Sequence, residues 1–154
     1  MATSAKVYAI AKGEDNLKKL YSIMQECVPV IKSEGYYFSK KTDIDGWVEL
    51  AEREYDVWDI EDWEPMLERC GEELGEDGAV IVVYSSPDSD TFEQHTSTTA
   101  SGEVIFCNTE YDFSDFENFD NRLNEFKEQF VKAYSLGESL YEWFEKKNDY
   151  SLPG

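Results

Sequence analysis

The stretch Ala79-Val80-Ile81-Val82-Val83-Tyr84 constrains the fold more than any other part of the chain. A short run that is apolar at every position, and rich in β-branched residues, makes a strand with no solvent face, and such a strand is central to its sheet. Lys6-Val7-Tyr8-Ala9-Ile10-Ala11, bounded by Gly13, reads as a second buried strand, and Glu103-Val104-Ile105-Phe106-Cys107 as the last one.

Helical spacing fills the intervals. Glu14 and Asp15 put negative charge in the first turn of a helix whose apolar residues Leu17, Leu20, Tyr21, Met24, Cys27 and Val28 share one face. Pro29 kinks or ends it, and Gly35 is its latest stop. Residues 36–41 and 47–55, joined by a turn at Thr42-Asp43-Ile44-Asp45-Gly46, form a β-hairpin, although Leu50, Ala51, Glu52 and Arg53 would also suit a helix. Trp63, Met66, Leu67, Cys70 and Leu74 mark the next helix, ended by Gly75. The polar stretch from Ser85 to Gly102 is expected to be a loop, or a weak hairpin arm around Thr91 to Gln94. In the C-terminal third, Phe116, Phe119, Leu123, Phe126, Phe130 and Ala133 step by three and four, with Ser114 and Glu117 placed as a capping box. Leu140, Tyr141 and Phe144 continue the face beyond Gly137, which can break the helix in two.

The order strand, helix, hairpin, helix, strand is that of the ferredoxin-like, split βαβ arrangement. The expected fold is one α+β domain over residues 1–147: an antiparallel sheet with helices on one face, plus an extra hairpin and a long C-terminal helix. Residues 148–154 are expected to be a flexible tail.

Charge narrows the function. The chain of 154 residues has 34 acids against 14 Lys and Arg, a net of −20, with 15% aromatic residues. That aromatic content separates it from disordered acidic tails. Direct binding to nucleic acid or to an anionic membrane is disfavoured, because both targets are negative. No apolar run approaches the roughly 18 residues of a membrane span, and the first residues do not resemble a secretory signal. Cys27, Cys70 and Cys107 are scattered, without a CxxC pair, as expected of buried cysteines in a cytoplasmic protein.

The charge is also clustered. Residues 1–42 carry a net of +3, whereas residues 43–77 hold fifteen acids and two arginines, a net of −13. Residues 103–120 add six acids and no base. On the helix after residue 60, Glu61, Glu64, Glu68 and Glu72 form one row, about 6 Å apart at the 1.5 Å rise per residue. Trp58, Asp59 and Asp62 lie beside that row, and Asp112, Asp115 and Glu117 fall in the second acidic stretch. Carboxylates at roughly phosphate-like spacing suit the groove of a basic, nucleic-acid-handling protein, with Trp58 as an aromatic anchor. These ten residues are the candidate partner-binding set; the plainer reading is an acidic surface kept for solubility.

Sites for chemistry are sparse. Residues 41–52 place acids and a glycine at several positions of an EF-hand loop, but Lys41 occupies the first ligand position and the flanks suit a hairpin. His95 has no Cys or second His nearby, and no GxSxG accompanies it. Neither GxGxxG nor GxxxxGK[ST] occurs, so no cofactor is expected. In overall character the chain resembles the small acidic inhibitors of phages that imitate nucleic acid, such as anti-restriction and anti-CRISPR proteins; the likeness is compositional and carries over no residues. It implies a non-enzymatic inhibitor that occupies a basic site. The alternatives are an immunity protein against a basic, nuclease-type toxin, an adaptor or oligomer subunit using the Phe-rich helix, and a metal-dependent enzyme.

Overall fold

A computed structural model describes residues 4–28, 31, 37–51, 53–56, 63–87, 91–100, 103–112 and 116–147. The strands are β1 (Ser4–Lys12), β2 (Ser39–Lys41), β3 (Trp47–Leu50), β4 (Arg53–Asp56), β5 (Gly78–Pro87), β6 (Thr91–Ala100) and β7 (Glu103–Asp112). The helices are α1 (Glu14–Cys27), α2 (Trp63–Leu74), α3 (Phe116–Ala133) and α4 (Gly137–Lys147). One sheet has the order β2-β3-β1-β5-β6-β7, and every ladder in it is antiparallel. β4 pairs with the first half of β1 on the edge that β3 occupies at the second half, so β3 and β4 act as one interrupted strand. β1 and β2 both oppose β3, and therefore run the same way with β3 between them.

Alternation along the central strands divides the core in two. Val7, Ala9 and Ala11 on β1, with Val80 and Val82 on β5, face α1 and α2, where Leu17, Leu20, Met24, Met66 and Leu67 cover them. Tyr8, Ile10, Ala79 and Ile81 point the other way, under Phe130, Tyr134, Leu140, Tyr141 and Phe144 of the C-terminal segment. The ladder register matches: Val7 opposes Val82 and Ala9 opposes Val80 on one face, Tyr8 opposes Ile81 and Ile10 opposes Ala79 on the other.

The expectation of helices on one face is therefore corrected: they cover both. The reason lies in β1 and β5 themselves, which are apolar at odd and even positions alike and would expose a greasy face without a second layer. The polar stretch before Gly102 is also corrected, because residues 91–100 form a full strand. β6 is hydrogen-bonded to β5 on one side and β7 on the other. Ladders on both edges satisfy its backbone, and β-branched threonines fit a pleated surface whatever their polarity.

Local signals set several boundaries. α2 stops at Leu74, and Gly75 takes a positive φ of 55° into the short turn Gly75–Asp77. The β2–β3 connection, which holds the first part of the stretch compared with an EF-hand loop, is a hairpin turn in which Gly46 has φ 82°. Its backbone is held by Thr42, whose hydroxyl donates to the Trp47 carbonyl (2.8 Å) and accepts from the Ile44 amide (3.2 Å). α3 and α4 are separate helices, broken before Gly137. A Cβ at residue 137 would fall 2.1 Å from the Val131 carbonyl oxygen, so only glycine lets the second helix start that close to the first.

Candidate partner-binding surface

α2 lies within the acidic stretch of residues 43–77. Its buried side, Met66, Leu67, Cys70 and Leu74, packs onto the first face of the sheet. Burial in that layer pushes the Cys70 thiol up to about 12, so it stays protonated and acts as a small hydrophobe. The opposite side of α2 carries Glu68 and Glu72, both exposed. Glu73 is exposed too, but it is engaged by Arg69.

Arg69 is the helix's one basic residue, and its position decides the electrostatics. It reaches sideways to α1, pairing with Glu26 at 2.8 Å and donating to the Cys27 sulfur at 3.5 Å. A second guanidinium nitrogen lies 3.6 Å from Glu73. None of its charge goes to Glu68 or Glu72, which have no ion-pair partner among the described residues. Two like charges one turn apart cost a few tenths of a kcal/mol in an exposed helix.

Backbone placement brings parts of the two acidic stretches, the end of β4, the start of α2 and the end of β7, to one end of the sheet, whereas Asp43, Asp45 and Glu72 to Asp77 lie toward the other end. The short turn between α2 and β5 sends the helix back along the strand, so Trp63 lies toward the Pro87 end. Pro87 opposes Phe92, Phe92 opposes Tyr111, and Asp112 follows. At the same end Asp56 opposes Ser4, which opposes Ser85. α2 also lies against β6 and β7, while α3 packs on β7 and begins four residues after it ends.

Of the ten candidate residues, Glu68 and Glu72 are exposed side chains on one helix face, and Glu64 shares that helix. Asp112 closes β7, and Glu117 is the second residue of α3, which begins four residues later. Trp58, Asp59, Glu61, Asp62 and Asp115 lie outside the described residues. His95 sits within β6, opposite Asn108 on one neighbour and Tyr84 on the other.

A second polar feature was not singled out by sequence. Glu49 points from β3 into the second layer and is only 5% exposed. Its carboxylate accepts the indole N–H of Trp143 and pairs with the Lys147 ammonium at 2.6 Å, both on α4. One acid among 34 carries no label; what distinguishes it is its position two residues after Trp47, on the inward side of the strand. Among the described residues no group of three or more His, Cys, Asp and Glu is arranged to hold a metal ion, and no helix is long and apolar enough to cross a membrane.

No family model matches the sequence, and neither a curated protein nor a solved structure is significantly similar to it.

Proposed function

We propose that this chain is a non-enzymatic acidic binding protein that occupies the basic site of a nucleic-acid-handling protein. The observation that carries the reading is the acid of α2: Glu68 and Glu72 are exposed and have no ion-pair partner among the described residues, while the helix's arginine is engaged by Glu26 and Glu73. The surrounding net of −13 over residues 43–77 adds a field that steers a basic partner toward this part of the molecule. The framework is read as ferredoxin-like, a reading supported by β3 lying between β1 and β2 and by α1 and α2 sharing one face. In that framework α2 is a rigid rod whose buried side is fixed by the sheet, which keeps the order of its carboxylates when a partner docks.

The test is capture from bacterial lysates on the immobilised protein, with mass spectrometry, run with and without excess duplex DNA. Recovery of a basic nucleic-acid-binding protein that DNA displaces is expected. The variant with Glu64→Lys, Glu68→Lys and Glu72→Lys should lose that partner while its circular-dichroism spectrum stays unchanged. Full retention by the triple variant, or a partner indifferent to DNA, would overturn the mimicry.

A further inference from the structure

We propose that the cleft between the β2–β3 turn and α4 is a binding site for a small zwitterion of amino-acid type with an apolar side chain. The cleft encloses about 370 Å³, within the roughly 300–1,000 Å³ range of small-molecule sites. It lies beside the second layer, on the other side of the sheet from α2, so the inference is independent of the partner surface proposed above.

Its floor is built. Glu49, buried on β3, holds the Trp143 indole by its N–H and the Lys147 ammonium by an ion pair, which fixes both against the cleft. Those two charges cancel each other. The rim then carries two cations, Lys41 and Lys146, and two anions, Asp43 and Glu142. None of the four takes part in an ion pair among the described residues.

That balance selects the ligand. A simple anion would meet Asp43 and Glu142, and it would approach against the field of a chain with a net charge of −20. A simple cation would meet Lys41 and Lys146. A ligand bearing one charge of each sign satisfies both pairs, and being net neutral it approaches without repulsion. The Trp143 ring and half-buried Ile44 supply an apolar wall for its side chain, and the ring face also favours an ammonium group.

The probe is L-phenylalanine, compared with 3-phenylpropionate, which lacks the ammonium group, and phenethylamine, which lacks the carboxylate. The Trp143 indole N–H cross-peak, identified by its loss in Trp143→Phe, is followed by NMR at constant ionic strength. Saturable movement with L-phenylalanine is expected, with each singly charged analogue binding at least about tenfold more weakly. Lys41→Gln combined with Lys146→Gln should weaken L-phenylalanine by a similar factor while amide peaks of β1 and β5 stay in place. No saturable movement, equal responses to all three compounds, or an unchanged response in the double variant would overturn the site.

Discussion

The two faces of the sheet are built from different materials. On the face toward α1 and α2 the core is mainly aliphatic, with Leu17, Leu20, Met24, Met66 and Leu67 over small β1 residues such as Ala9 and Ala11, and Tyr21 against Tyr37 at its margin. On the other face it is aromatic: Phe144 meets Tyr8 edge-on at 5.4 Å, and Phe130 stacks at a tilt on Tyr134 at 5.1 Å and on Tyr141 at 5.6 Å. Aliphatic packing over alanines lets helices sit close and needs no polar partners. Aromatic packing buries more area per residue, has preferred ring geometries, and brings hydroxyl and indole groups that must be hydrogen-bonded. Hence the second layer, not the first, contains Glu49 and the buried Tyr134 hydroxyl.

Removing one side chain from each layer is the strongest way to break the comparison. Phe144→Ala should cost about 3–5 kcal/mol and Leu67→Ala about 2–5 kcal/mol, read from urea denaturation. The near-ultraviolet circular dichroism should fall mainly in the first variant, and equal spectral loss in both would mean the layers are not separate. Gly137→Ala comes next: its Cβ must push the Val131 backbone away, for roughly 2–3 kcal/mol. Tyr134→Phe should cost about 1–2 kcal/mol, because the hydroxyl donates to the Gly78 carbonyl at 3.0 Å in a buried setting.

The smallest expected effect is pH-dependent, present at neutral pH and lost in acid. The Ser135 amide and hydroxyl both donate to Glu76, at 2.7 and 2.9 Å, and hold its carboxyl below its ordinary value. A lowered folded-state value stabilises the protein above the ordinary carboxylate range, and that contribution is lost as pH falls through the lowered value. Glu76→Gln should therefore be slightly less stable at neutral pH and lose less stability than the parent on acidification. Parallel pH–stability curves would show that the Ser135 contacts do not persist in solution.

Much of the first layer was legible in the sequence because each signal was local. Three–four spacing placed α1 and α2, Gly75 marked where α2 stops, and the unbroken apolar run identified β5. The second layer was missed although its cause was visible: a strand apolar on both sides requires cover on both sides, but element order fixes only which strands are joined. β6 was illegible because its strand character comes from neighbours on either edge rather than from hydrophobic alternation. In the candidate surface, the exposure of Glu68 and Glu72 followed from helical spacing. The direction taken by Arg69 did not, since its partner Glu26 lies on a different helix.

The corner between α3 and α4 reaches around the sheet to the connection that follows α2. Tyr134 holds the Gly78 carbonyl and Ser135 holds Glu76, so two successive residues of the aromatic layer are fastened to the turn at the foot of the acidic helix. Leu136, the next residue, is 43% exposed. A fluorophore attached there would sit beside this junction and report whether the corner stays fastened to the turn.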